Sequence, residues 1–213
     1  MPSSDVGRKA YLGLRGKPLV YAITFACSLG FLLFGYDNGV FSGLTTDPSF
    51  LQQFGNPGAT MLGFIVAVYE LGCFLGALIC AFWGENFGRR KICMYGSVVL
   101  IIGTAIQTAS FSVAQMIVAR IVTGVGVGFI TSVVHIYQAE TTVAKARGRM
   151  IAVQLSMLIV GIVIAYWLDY GMSLKSTSIQ WRLPIAFQVV FAIGLIAMCS
   201  FLPGKPLATS CAS

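Results

Sequence analysis

Charge is what this sequence has least of. Only 10% of its 213 residues are Asp, Glu, Lys or Arg, and seven of those are acidic. A soluble domain carries about 25% charged residues. With 57% hydrophobic residues and a mean hydropathy of +0.84, the chain lacks the polar surface of a protein surrounded by water. Metal-ligand spacing is missing too: His135 is the one histidine, and no Cys/His cluster accompanies it, so no metal site is expected. Cys27, Cys73, Cys80, Cys93 and Cys199 lie within apolar runs, where a small apolar side chain suffices, and only Cys211 lies outside them. No nucleophile with an adjacent base is apparent, and the glycines from Gly124 to Gly128 follow no strand, so they are not a phosphate loop. An enzyme is the least favoured class, and no cofactor is implied.

Long apolar runs are what is present. Leu19 to Gly43, Thr60 to Trp83, Ile92 to Ser110, Val113 to Val133, Met150 to Tyr170 and Leu183 to Leu202 are each about 18 to 25 residues, enough to cross a core of roughly 30 Å as a helix. They are continuous rather than alternating, which excludes a β-barrel. The expected fold is an all-α membrane protein with six transmembrane helices in the lipid bilayer. Residues 1–18 are read as a cytoplasmic N-terminal segment, 19–202 as the transmembrane domain and 203–213 as a short cytoplasmic tail. The first run ends in Gly-Tyr-Asp-Asn-Gly instead of a small-residue cleavage pattern, so it is not read as a signal peptide.

The net charge of +7 raises the question of a nucleic-acid partner, but the basic residues alternate with the spans. Arg8, Lys9, Arg15 and Lys17 precede the first span, Arg89, Arg90 and Lys91 join the second to the third, Lys145, Arg147 and Arg149 join the fourth to the fifth, and Lys205 follows the sixth. Eleven of fourteen therefore fall on one side, which places both termini in the cytoplasm and leaves no basic face for nucleic acid. Residues 44–59 and 171–182 become outer loops. Tyr21, Trp83, Trp167, Tyr170 and Trp181, near span ends, are read as interfacial anchors.

Glycine has a pattern of its own. Gly35, Gly39 and Gly43 form a small-residue ribbon on one face of the first span, as Gly72 and Gly76 do in the second. Gly124, Gly126 and Gly128 alternate, putting glycine on two faces of the fourth span, where it permits close packing or bending.

Two charges lie at depth within these spans. Asp37 is about 160° around its helix from Gly35 and Gly39, so it points away from whatever the ribbon packs on. With the first span running outward and the fourth inward, Asp37 and Arg120 both sit roughly 9 to 12 Å below the outer boundary. At a common depth, each lowers the other's desolvation cost, and protonating the carboxylate would release the arginine. That is a proton-coupled switch; the alternatives are a permanent structural ion pair or an Asp held neutral by hydrogen bonds. Glu70 reads as deeper, near mid-span, and as a neutral hydrogen-bonded contact between helices. Gln107 and Asp169 lie near outer ends and call for no special role. Asn38, Thr123, Gln154, Ser156 and Gln188 offer hydrogen bonds to a hydroxylated ligand, although such residues also join helices, and Phe34 and Tyr36 offer rings to stack on a sugar.

Five ordered segments carry a resemblance. These are Phe34-Gly35-Tyr36-Asp37, Gly88-Arg89-Arg90-Lys91, Arg120 followed by Gly124, Gly126 and Gly128, Tyr137-Gln-Ala-Glu140 with Arg147-Gly148, and Trp181-Arg182-Leu183-Pro184 with Phe187-Gln188. Together they resemble the sugar porter family of the major facilitator superfamily, in fungal flavour. The resemblance implies the N-terminal half of a twelve-helix carrier, built as two three-helix inverted repeats, with substrate near the midplane. It implies transport of a sugar or sugar-like polyol by proton-coupled symport and alternating access, as a truncated half, with a transporter-like sensor or a non-transporting fragment as the alternative. By the same likeness Asp37 takes the proton with Arg120 as partner, Phe34 lines the pocket, and Glu85, Arg89, Arg90, Glu140 and Arg147 form a cytoplasmic gate; Asn38, from its polar side chain, and Gln154, in part, are expected to join Phe34 in binding substrate. The expected partners are a small sugar, a proton, the bilayer and a second six-helix half or a second copy, in the plasma membrane. Three departures stand out. The family's helix-five Gln position is Leu155 here, one after Gln154; His135 replaces a Pro and is read as a buried core histidine; and Gly204-Lys205 replaces an acidic motif after the sixth span.

Overall fold

The computed structural model describes residues 17–141, 147–174 and 179–201. Apart from residues 17 and 18, the expected terminal segments 1–18 and 203–213 lie outside them. The described chain is helical throughout its regular structure: α1 (Lys17–Leu44), α2 (Pro48–Gln53), α3 (Ala59–Phe87), α4 (Arg89–Thr108), α5 (Val113–Thr141), α6 (Arg147–Ser173) and α7 (Ile179–Phe201). All but α2 are long and apolar enough to cross a membrane, and their apolar windows lie within a few residues of the predicted runs.

The short α2 departs from the expected loop. Asp47 caps it by accepting a 2.7 Å hydrogen bond from the Ser49 N–H, and Pro48 supplies a fixed φ in the first turn. Phe50 is thereby buried against Trp181, with ring centroids 5.7 Å apart, and Phe54 closes on the same indole. Trp181 is consequently fully buried, which corrects its reading as an interfacial anchor; Trp167 and Tyr170 are exposed, as anchoring requires. At the other end, Gly88 joins α3 to α4 with φ of 77°, a left-handed value that glycine adopts without strain.

The helices pack by an exchange that matches two inverted repeats, α1, α3 and α4 against α5, α6 and α7. As α1 packs on α6, so α5 packs on α3; as α5 packs on α4, so α1 packs on α7. Glycine explains the two closest seams. A Cβ at Gly39 would lie 3.1 Å from the Ile162 Cα, and Gly161 returns the contact against Leu32 and Tyr36. In the other seam Gly72 and Gly76 of α3 face Gly124 and Gly128 of α5, while Gly126 turns to Gly96 and Leu100 of α4. The alternating glycines of α5 therefore serve two neighbours at once, as their spacing predicts. The result places α1 at the centre, with 72% of its apolar window buried against 17% for α6.

This seam geometry sets a stability prediction. At Gly124 a Cβ would lie 3.0 Å from the Cys73 amide nitrogen, a backbone atom unable to move aside, whereas at Gly194 nothing lies within 4 Å. Gly124→Ala is expected to lower stability by about 1 to 3 kcal/mol. Gly194→Ala is expected to leave it unchanged or raise it by up to about 1 kcal/mol. Thermal unfolding of the two variants in detergent compares them directly.

Candidate functional site

Asp37 and Arg120 meet as their matching depths require. α1 carries the aspartate on the side away from its α6 seam, and α5 brings the arginine from the facing direction. The Arg120 Nη1 donates to Asp37 Oδ2 over 2.8 Å, with the two side chains 0% and 1% exposed. No bulk water reaches this pair, so its attraction is little screened, and each charge depends on the other for compensation. Because α1 and α5 open the two repeats, the pair joins one repeat to the other.

Aromatic side chains surround the guanidinium. Arg120 Cζ sits 3.6 Å from the centroid of Phe41 and 4.3 Å from that of Tyr69, so two aromatic faces flank the cation. Its Nε and Nη2 are buried without a hydrogen-bond partner among the described residues. The rings supply electrostatic attraction where N–H acceptors are missing. Phe41 stands four residues after Asp37 on the same helix, a spacing that puts it on the same face. Tyr69 arrives from α3 and carries no such signal. It also lies parallel to Phe34, at 6.4 Å between centroids and 18° between planes. Asp37, Arg120, Tyr69 and Phe34 thus form one contiguous chain of contacts.

The remaining candidates divide. Asn38 is half-buried and donates to the Phe34 backbone carbonyl, one turn earlier on α1, over 3.1 Å. Gln154 is fully buried, with both amide atoms unpartnered among the described residues, while Leu155 is 52% exposed. The side chain facing inward is therefore Gln154. It does not join Asp37: α1 and α6 run parallel, with Thr24 at Met150 and Gly39 at Ile162 and Ala165, so Gln154 lies about 12 Å along the axis from the ion pair. Gln188 and Gln107 are committed to joining helices, donating to Thr104 Oγ1 over 2.8 Å and to Thr123 Oγ1 over 2.9 Å. Ser156 is exposed and bonded to the Ala152 carbonyl of its own helix. Tyr36 is buried and donates to the Pro184 carbonyl over 2.8 Å, so it is a tie to α7.

Glu70 and His135 depart from their expected buried positions. Glu70 is exposed on the face of α3 turned from α5, and it makes no hydrogen bond or ion pair with the described residues. It is also not deeper than the pair, since its neighbour Tyr69 lies on Arg120. His135 is exposed, with Nδ1 2.8 Å from the Thr131 carbonyl and its ring edge-on to Phe31. At the end of the bundle where α3 meets α4, Arg90 Nη2 donates to the Ser200 carbonyl over 2.7 Å. Arg147 opens α6, and the side chains of Glu85, Arg89 and Glu140 lie outside the described residues.

The family described as "Sugar (and other) transporter" matches residues 22–207. The sugar transporter STL1 of Saccharomyces cerevisiae is 39% identical, over 94% of this chain and 38% of its own length. The low-affinity glucose transporter HXT1 of the same yeast is 30% identical, over 90% and 36%. Among solved structures, the inward open conformation of the xylose transporter XylE from E. coli superposes with a TM-score of 0.75 at 26% identity, covering 88% of this chain and 48% of that one. A crystal structure of a D-xylose-proton symporter gives 0.76 at 25% identity, covering 88% and 49%. The chain spans less than half the length of each of these proteins.

The ring contacts make a prediction separable from the charge. Tyr69→Phe keeps the aromatic face over Arg120 and is expected to change stability little, whereas Tyr69→Leu is expected to cost about 1 to 2 kcal/mol beyond the change in buried area. Chemical unfolding of both variants in the same detergent measures the difference.

Proposed function

We propose, from the premise that this chain belongs to the sugar transporter family of the major facilitator superfamily, that its six spans form the N-terminal half of a proton-coupled carrier for a sugar or sugar-like polyol. The observation that carries the reading is the fully buried Asp37–Arg120 pair at 2.8 Å. Asp37 is the proton acceptor. While it is ionised, it anchors Arg120; when it takes a proton, the guanidinium loses its counter-charge and keeps only the rings of Phe41 and Tyr69. Tyr69 lies against Phe34, so a shift of Arg120 moves the ring assigned to the sugar pocket. A proton on Asp37 and a sugar against Phe34 thus act on one chain of contacts, and coupling follows where both favour the same arrangement of it.

Phe34 and Asn38 form the substrate-facing group, with Gln154 contributing nearer the opposite end. Glu85, Arg89, Arg90, Glu140 and Arg147 form the gate on the cytoplasmic side, where both termini lie. A second six-helix half, or a second copy, encloses the pathway, and rocking of the halves gives alternating access in the plasma membrane.

Uptake of labelled hexose into proteoliposomes, with and without an imposed pH gradient, tests this. The wild type is expected to accumulate sugar above equilibrium only with the gradient, and Asp37→Asn to lose that accumulation. Absence of wild-type uptake overturns transport by the chain alone. Retained gradient-driven accumulation by Asp37→Asn overturns its role as proton acceptor.

A further inference from the structure

We infer that Cys93 and Cys199 are an oxidisable thiol pair, converted by a hydroperoxide into a disulfide that ties the third helices of the two repeats together. Cys93 lies in the second turn of α4 and Cys199 near the end of α7, and their sulfurs are 3.3 Å apart, with the Cys199 thiol directed at Cys93. The two residues are 4% and 7% exposed. Their seam is held at other levels, by the 2.7 Å bond from Arg90 to the Ser200 carbonyl and the 2.8 Å bond from Gln188 to Thr104. The sulfurs therefore meet in a fixed register and need to close by only about 1.3 Å to bond. Cys27 belongs to the same apolar cluster, but its thiol is directed to the Val134 carbonyl, at 3.8 Å. Cys73 also packs against that cluster, and the sulfurs that meet are those of Cys93 and Cys199.

The chemistry needs one two-electron oxidant. Cys199, the more exposed of the pair, attacks as thiolate on one oxygen of the hydroperoxide. The O–O bond breaks, the other oxygen leaves as an alcohol, or as water from hydrogen peroxide, and a sulfenic acid remains. Cys93 sulfur then attacks the sulfenic sulfur; the S–S bond forms, the S–O bond breaks, and the hydroxyl departs with the Cys93 proton as water. Two thiols and one hydroperoxide give one disulfide, one alcohol or water, and one further water. Both thiols sit within about two turns of a helix end, so the oxidant can arrive from the aqueous side as hydrogen peroxide or from the bilayer as a lipid hydroperoxide. The bond lies at the end of the bundle away from Asp37 and Arg120, so it adds a second tie between the repeats where that ion pair does not reach.

The test uses the full chain in lipid nanodiscs, treated separately with hydrogen peroxide and with cumene hydroperoxide, then alkylated, digested without reductant and read by mass spectrometry. A peptide linking Cys93 to Cys199, lighter by two hydrogen atoms and reversed by dithiothreitol, is expected in the wild type and in Cys27→Ser. It is expected to be absent in Cys93→Ser and Cys199→Ser. Formation with hydrogen peroxide identifies an aqueous supply, and formation with cumene hydroperoxide alone identifies supply through lipid; either supports the pair. Oxidation is also expected to raise the thermal midpoint of the wild type reversibly, but not that of Cys93→Ser. Both thiols remaining open to alkylation after either oxidant, a disulfide to Cys27, or an equal midpoint rise in Cys93→Ser overturns the inference.

Discussion

A carboxylate and a guanidinium that are 1% and 0% exposed impose a condition on everything around them. Taken out of water, neither charge is tolerable alone, so the helices that carry them must stay at one depth and facing each other. Those helices are α1 and α5, the first of each repeat, and the pair therefore sets the register between repeats. The glycine seams serve the same condition. Gly35, Gly39 and Gly161 draw α6 onto one side of α1, while Gly124, Gly126 and Gly128 let α5 sit between α3 and α4. With α6 and α7 around it, α1 has its remaining side free for Arg120.

The cation is held by more than its counter-ion. Phe41 comes from the helix of Asp37, and Tyr69 from α3, so a change in the charge of one residue is felt on three helices. Arg120 uses one Nη for Asp37 and leaves Nε and Nη2 to face the rings. Such an arrangement is less rigid than a two-pronged fork, because cation–π attraction tolerates sliding where paired hydrogen bonds do not. In the proposed carrier this tolerance is what lets the arginine move when the carboxylate is neutralised, with Tyr69 passing the displacement to Phe34.

Much of this was legible in the residues. The spans follow from apolar run length, and the common depth of Asp37 and Arg120 follows from the fixed rise of a helix once the direction of each span is assigned. The two-sided packing of α5 follows from alternating glycines. Contacts that depend on the rotation of a third helix were not legible: nothing around Tyr69 in the chain announces that its ring covers Arg120. Asp47-Pro48 carried a readable helix start, yet the six-residue helix it begins was hidden by its turn-rich neighbours, and with it the burial of Trp181. Gln154 and Leu155 show the limit of motif spacing. One residue is a turn of 100° on a helix, and only packing against α1 decides which of the two faces inward.

The central claim is that Asp37 and Arg120 stabilise the bundle through each other rather than separately. A double-mutant cycle of Asp37→Asn and Arg120→Gln, with unfolding free energies measured in one detergent, tests it most directly. Interdependence predicts that each single variant loses about 3 to 5 kcal/mol and that the double variant loses clearly less than their sum. Additive losses would contradict it.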